Sequence, residues 1–365
     1  WRDIWQDLLS LILIEPGEVR ESLLNNFAGV RIDGSNATIV GQNPGEFIAD
    51  RNAITRVWMD HGVWPLTTAL LYIDQTGDYD LLFEDAAYFC DVQQSRTLEK
   101  NKTWTPAYGH QLKDKKGNVY RGTVLEHLLI QHLVQFFNVG EHNIIRLESA
   151  DWNDGLDMGF RRGESVAFMS FYAGNFLRIA DVLEEAATRK GVKSVRLARE
   201  MLLLLDTLSG AVDYNSIAGK KAHLFDEYFR AVQPELSGET LDVAVADLVR
   251  DLRRKGQWMF EHIRKQEKVS VEEGGEHFSW FNGYYDNDGK RVDGRNDGRV
   301  WMTLTGQVFP VMSGLATRED TLDEVKAVRK FLKDKDLVGF RLNTDFGLKH
   351  YMALGRAFGF AFGTK

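Results

Sequence analysis

The chain has 365 residues, 44% of them apolar and 27% charged, with a net charge of -8 and a pI near 5.7. That is apolar material for a large core in one long domain, and the acidic balance excludes a general affinity for nucleic acid or an anionic membrane surface. Aromatic residues reach 12%, with 9 Trp and 22 Phe, and aromatic faces are a common way to hold sugar rings and other flat ligands.

Helical periodicity dominates. The sequence opens directly on "WRDIWQDLL", without Met or a signal sequence, and is expected to begin inside a longer protein. The helix in "IWQDLLSLILI" ends at Pro16, and "PGEVRESLLNNFAGV" restarts one with Pro in its first turn. "HGVWPLTTALLYIDQTGD" and "YDLLFEDAAYFCDVQ" read as a helix pair joined at a Gly-Asp turn, and "TVLEHLLIQHLVQFFNVG" as a strong helix closed by Gly140. Further helices are expected over 164–189, 195–209, 240–267, 306–316 and 322–333, with a last periodic segment in "LKHYMALGRAFGF". Strand signals are short: "NATIV", "NIIRL" and "HFSWFNGYY", the last leading into the hairpin or excursion "DNDGKRVDGRNDGR". No window approaches about 18 uninterrupted apolar residues, so no membrane span is expected. The single cysteine, Cys90, reads as a buried helical thiol, allows no intramolecular disulfide and fits a reducing, cytoplasmic compartment.

With no fixed repeat, low-complexity tail or Pro/Gly/Ser linker, one domain of paired helices over 1–365 is the simplest account. Paired helices with short turns on one side and long, decorated loops on the other make an all-α toroid or barrel, with the site on the decorated side.

The stretch "ESADWNDGLDMGFRRGESV", residues 148–166, suits neither a core strand nor a helix interior. Asp151 and Asp154 flank Trp152 and Asn153, and Gly155, Gly159 and Gly163 punctuate the remainder of the stretch. Glycoside cleavage needs a protonated, partly desolvated carboxyl at the leaving oxygen. A Trp beside it can stack a sugar ring and keep water off the acid. The competing reading is that these Asp side chains only cap a turn. In "WRDIWQD", Arg2, Asp3 and Asp7 fall within two turns, with Asp3 and Asp7 on one helix face. They suit the hydroxyls of a terminal sugar, or equally an exposed ion-pair face. "VWMDHGVW" adds Asp60 and His61, the His read as structural. His127 and His132 are five apart, so their imidazoles diverge by about 140° and cannot share one ion from one helix; no metal is expected. The sequence has no Walker or Rossmann phosphate loop, Ser nucleophile elbow or Cys/His pair.

"SADWNDGLDMG" followed by "RGESV" resembles the catalytic segment of glycoside hydrolase family 94, the inverting β-glucoside phosphorylases. Other stretches agree in order: "WRDIWQD" with the family's RD-x-x-QD segment, "WMDHGVWPLTTALLYIDQTGD", "GRVWMTLTGQVFPVMSGLA", and "AFGTK" with the start of its KENG motif. The resemblance implies an (α/α)6 barrel. It implies Asp154 as general acid, Trp152 against the acceptor sugar, and Arg2, Asp3 and Asp7 in the segment holding the non-reducing terminal sugar. Asp60 is a further candidate for the sugar site, and Lys365 matches the lysine that begins the late active-site loop.

Asp154 would protonate the glycosidic oxygen while inorganic phosphate, a co-substrate rather than a cofactor, attacks the anomeric carbon from the opposite face. The product is an α-sugar 1-phosphate. "SADWNDGLDM" with "GESVAF" is most similar to the 1,2-β-oligoglucan phosphorylases, which implies β-1,2-glucan oligosaccharides as substrates. A cellobiose-type phosphorylase, a non-catalytic sugar-binding barrel and an inverting hydrolase are the alternatives. The hydrolase needs a second carboxylate roughly 6.5–9.5 Å from Asp154, for which Glu126, Glu148 and Asp60 are the candidates. The resemblance also implies a homodimer. It places the family's N-terminal β-sandwich and linker, and the rest of its phosphate site, outside this chain, which is therefore not expected to be a competent phosphorylase alone.

Overall fold

The computed structural model describes residues 1–48, 56–157, 159–336, 338–347 and 353–355. They pack as two compact units: Trp1–Val57 with His61–Asn138 and Arg178–Arg253, and Trp58–Asp60 with Val139–Leu177 and Arg254–Lys365. Helices carry most of the regular structure. The sheets formed by the described residues are two-stranded antiparallel ribbons.

In the first unit, Arg2–Ile14 forms the opening helix, burying Trp5 and Ile12 at the 3.6-residue spacing. Pro16 starts a single 3-10 turn before the helix Arg20–Phe27. Val63–Thr76 ends where Gly77 takes the left-handed conformation at φ +71°, open to glycine without steric cost. Val124–Phe137 is buried all round, so it is the core helix of this unit. The Thr123 side chain caps its start by accepting the Glu126 N–H. An aromatic chain links these elements: Trp1 to Trp5, Trp5 to Phe27, and Phe27 to His127, which stacks on Tyr88 at 3.8 Å. His127 and His132 each set Nδ1 against the carbonyl four residues back, Thr123 and Leu128.

Three helical expectations in this unit are corrected. "YDLLFEDAAYFCDVQ" is a 3-10 stretch, Tyr79–Phe83, followed by the strand Asp85–Ala87, which pairs with Arg121–Thr123. Cys90 is thus half-buried in extended chain, its N–H donating to His110 O. Burial, then the Asp91 charge, pushes its thiol up to about 12. The expected helices over 195–209 and 240–267 both begin as strands, Ser194–Ala198 and Thr240–Ala244, paired with each other. The first continues only as two four-residue helices, Met201–Leu204 and Asp206–Ser209. The second becomes the helix Val245–Gln266.

In the second unit, Glu276–Phe281 is the strand expected in "HFSWFNGYY", and it forms a hairpin with Lys268–Glu273, for which no strand was expected. Val271, Phe278 and Trp280 pack there with Met302, Ala327 and Leu332. Gly294–Asn296 and Arg299–Trp301 make the excursion a second hairpin. The helix Thr305–Met312 tolerates Pro310, and Arg318–Phe331 is fixed by a capping box between Thr317 and Asp320. The helix expected over 164–189 runs from Val166 to Lys190, its residues to Leu177 lying in this unit and the rest in the first. By length and composition it could cross a membrane, but it is mostly buried inside the protein, as a core helix is. The segment "LKHYMALGRAFGF" lies largely outside the described residues.

Glu126 anchors the first unit's core. Its carboxylate accepts Tyr88 Oη at 2.9 Å, Tyr120 Oη at 3.1 Å and the Ala198 N–H at 2.6 Å. Burial nonetheless pushes it up to about 7. Glu126→Ala would leave three buried donors without an acceptor and is expected to cost about 3 kcal/mol or more. Glu126→Gln should cost clearly less, and urea denaturation midpoints compare the two.

Candidate active site

The loop 148–166 belongs to the second unit and is clamped from several sides. Glu148 adopts φ +56°, a turn conformation uncommon for a side-chain-bearing residue. Trp58 bridges to Glu148 and Ala150, and the Met59 N–H donates to Ala150 O at 2.9 Å. Tyr172 Oη donates in turn to Met59 O at 2.6 Å.

The four residues of "DWND" alternate inward and outward. Asp151 is fully buried, Trp152 is 41% exposed, Asn153 is buried and Asp154 is exposed. Asp151 accepts the Asn153 N–H at 2.9 Å and Ser165 Oγ at 3.1 Å, and it meets the Tyr284 hydroxyl, which lies 2.8 Å from Thr305 Oγ1. Asn153 Oδ1 accepts the Gly155 N–H at 3.0 Å and caps the 3-10 turn Asp154–Leu156. Asp151 and Asn153 therefore fix the turn, while Trp152 and Asp154 face solvent from it.

Burial pushes Asp151 up to about 7, the Asn153 N–H pulls it back, and the nearby Asp60 charge raises it again. A carboxyl shifted this far would ordinarily mark a catalytic acid. Asp151 has no access to a substrate, however, because it is sealed under the loop. A general acid must reach the leaving oxygen, so position favours Asp154, the exposed carboxyl of the pair.

The later half of the loop corrects one expectation. Glu164 does not begin a helix: Glu164–Ser165 is a strand paired with Tyr284–Tyr285, and the helix starts at Val166. The fully buried Glu164 carboxylate accepts the His142 and Ile144 N–H groups at 3.1 and 3.2 Å and His142 Nδ1 at 2.5 Å. Gly140 makes room for it, since a Cβ there would lie 2.4 Å from that carboxyl carbon. Gly163 is required by the loop's own packing. A Cβ on Gly163 would sit 2.3 Å from Gly159 O, the atom its N–H bonds.

The other sequence candidates fall in different places. Asp60 is in the second unit and fully buried. Arg2, Asp3 and Asp7 are in the first unit, on the opening helix, with Asp3 and Asp7 exposed and Arg2 partly so. His61, in the same unit, is buried and held well below the usual imidazole range by burial and then by the Arg2 charge. Lys365 lies outside the described residues. Glu126 is sealed in its tyrosine network and offers no solvent-facing base.

The sequence reading missed Ser165, Tyr284 and Asp293. Asp293 accepts Trp280 Nε1, the Gly283 N–H and both the N–H and hydroxyl of Thr303, within 3.2 Å, which ties 280–283 to 303. Its position in "KRVDGRND", a turn-rich segment, gave no signal of burial.

The catalytic-domain model of the Glycosyl hydrolase 94 superfamily matches residues 1–203, more than half of the chain, and the chain belongs to that family. The chain is also 26% identical over 223 residues to the Solabiose phosphorylase of Paenibacillus borealis. That alignment covers 60% of this chain, which spans 23% of the relative's length.

The buried Asp151 yields a pH test. Its folded pKa, about 7, lies above the ordinary carboxylate value of 3.8. Between those values the folded state holds a proton that the unfolded state releases. The contribution is present in full below about pH 4 and is lost as pH rises to about 7, by up to about 1.4 kcal/mol per pH unit. Asp151→Asn should remove that slope. Urea denaturation of both proteins from pH 4 to 8 checks it, and parallel curves would show that Asp151 does not hold its proton.

Proposed function

We propose that this chain carries out the acid half of an inverting glycoside phosphorolysis, with Asp154 as general acid. The observation that carries the reading is the exposed Asp154 beside the exposed Trp152, on a turn fixed from beneath by Asp151 and Asn153. Family membership across 1–203, a range that includes Asp154, and the likeness to a phosphorylase support it.

In the proposed reaction a sugar ring lies on Trp152, and its glycosidic oxygen reaches the Asp154 carboxyl. The C1–O bond breaks as Asp154 transfers its proton to the leaving oxygen. A phosphate oxygen forms the new bond to C1 from the opposite face, giving an α-sugar 1-phosphate and a shortened acceptor. Asp154 is left as a carboxylate and regains a proton from solvent. In the free chain Asp154 faces water; the bound sugar supplies the exclusion of water that the chemistry needs. Arg2, Asp3 and Asp7 are assigned to the terminal sugar and Lys365 to the wider substrate site; Asp60, fully buried like Asp151, is not assigned a sugar contact. The fold proposed is the (α/α)6 barrel, and the substrate proposed is a β-1,2-linked gluco-oligosaccharide, on the "SADWNDGLDM" and "GESVAF" sequences. A cytoplasmic homodimer is the proposed form.

The test is product analysis on β-1,2-, β-1,3- and β-1,4-linked gluco-oligosaccharides, with and without phosphate, using the full-length protein that contains this chain. Phosphate-dependent release of sugar 1-phosphate, fastest on the β-1,2 series, is expected. Equal cleavage with and without phosphate would make the protein a hydrolase. Asp154→Asn should lower kcat by about 10²–10⁴-fold, while Trp152→Ala should act mainly on KM. Near-normal turnover by Asp154→Asn would sink the assignment of the acid.

A further inference from the structure

A pocket in the first unit, lined in part by the strand Gln93–Gln94, takes no part in the proposed reaction. It is partly enclosed and has a volume of about 30 Å³, room for about two non-hydrogen atoms. The charged residues of its lining, Arg31, Asp33 and Asp91, are all buried and already engaged. Arg31 donates to both Asp91 oxygens, at 3.2 and 2.7 Å, and Asp91 also accepts the Gln93 N–H at 2.9 Å. Asp33 accepts the N–H and hydroxyl of Ser35 and the Arg96 N–H. Each carboxylate therefore has three donors. Two carboxylates against one guanidinium turn anions away from the pocket.

The half-buried part of the lining is neutral and includes two aromatic rings and several primary amides. Trp104 donates its indole N–H to Gly109 O at 3.1 Å, and the Tyr108 hydroxyl accepts the Lys113 N–H at 3.1 Å. With their polar ends engaged, both rings offer the pocket apolar surface. Asn101 Oδ1 accepts the Thr103 N–H and hydroxyl at 2.9 and 2.7 Å, and Gln233 Oε1 accepts Ser95 Oγ at 2.9 Å. Each of these two residues keeps its NH2 as the open group. The side chains of Gln93 and Gln94 have no partner among the described residues. None of these open amide atoms is sealed from solvent.

We propose that this pocket is a non-reacting carbohydrate site, which takes the hydroxymethyl group of a neutral hexopyranose while the sugar ring lies against Trp104 and Tyr108. The hydroxymethyl group is one carbon and one oxygen, the size the pocket admits. Its hydroxyl accepts from an amide NH2 and donates to an amide oxygen. The C–H surface of the sugar ring suits the aromatic surface, and the remaining hydroxyls suit the other amides. A pentose lacks the hydroxymethyl group, and a sugar 6-phosphate would bring negative charge against Asp33 and Asp91. With both carboxylates engaged, the lining offers no acid to a glycosidic oxygen, so the site holds a sugar without cleaving it.

Saturation-transfer difference NMR on the full chain tests the proposal, with glucose, xylose and glucose 6-phosphate as ligands. Carrying Trp152→Ala throughout removes the ring proposed for the active site, so the signal that remains reports the pocket. Glucose should bind in the millimolar range with its strongest transfer on the C6 protons, and about tenfold tighter than xylose or glucose 6-phosphate. Adding Asn101→Asp and Gln233→Glu keeps the oxygens that Thr103 and Ser95 use and removes both NH2 groups. That change should weaken glucose about tenfold with an unchanged circular dichroism spectrum, and adding Trp104→Ala instead should abolish the signal. Equal affinity for glucose and xylose, or a glucose affinity that the Asn101→Asp and Gln233→Glu changes leave untouched, would overturn the proposal. So would loss of all glucose signal on Trp152→Ala alone, which would return the sugar to the proposed active site.

Discussion

A buried carboxylate must be met by donors or stay protonated, and this chain uses that constraint to fix its loops. Much of the second unit is loop rather than helix or sheet, so many backbone N–H groups have no ladder partner. Glu164 gathers the 142 and 144 amides, Asp293 those of 283 and 303, and Asp151 that of 153. Glu267 binds Asn282 Nδ2 and Tyr285 Oη, and Tyr285 stacks on His142 at 3.6 Å. The first unit repeats the device: Asp33 takes the Ser35 and Arg96 amides, Asp206 the Val212 amide and Tyr214 hydroxyl, and Asp91 the Arg31 guanidinium. Each acid ties neighbouring stretches of chain to one another through its donors. Burial opposes ionisation in the most enclosed of them, so Glu126, Asp151 and Asp293 all sit near 7.

That architecture explains what was legible in the sequence and what was not. Helices whose apolar spacing decides their burial, such as Arg2–Ile14, Val63–Thr76 and Val124–Phe137, were readable because periodicity is local. Strands that lead straight into helices were not. Val195 and Leu197 alternate over too few residues to stand apart from the apolar run beyond them, and their pairing with Val243 and Leu241 is non-local. "YDLLFEDAAYFCDVQ" failed for the same reason, since its strand exists only because Arg121–Thr123 lies beside it. At the candidate site, the residue types of "DWND" sufficed to single out Trp152 and Asp154. The groups that hold them, Ser165, Tyr284 and Thr305, are up to about 150 residues away and carry no chemical signature of their own.

The same contrast separates a satisfied buried acid from an unsatisfied one. Asp320 and Glu324 are one helical turn apart, both buried, both near Lys268. Asp320 has the ammonium and the Thr317 cap, and it is held below the usual carboxylate range despite its burial. Glu324 has no donor among the described residues and moves the opposite way. Burial raises both; at Asp320 the ion pair with Lys268 and the Thr317 cap outweigh it, and at Glu324 nothing does.

Applied to the candidate active site, that distinction separates the roles of two acids three residues apart. Asp151 has the perturbed titration that usually advertises catalysis, but its oxygens are engaged by Ser165, Tyr284 and the Asn153 amide, and Asp60 adds a repelling charge. Its protonation relieves first the cost of burying a charge and then the repulsion from Asp60. Asp154 faces solvent, on a turn whose orientation Asn153 and Asp151 dictate. Proton transfer to a substrate demands contact, and contact is available only at the outward positions of the alternation. The inward acid is accordingly a positioning residue and the outward one the reacting group, a division that follows from access and hydrogen-bond supply rather than from the size of a pKa shift.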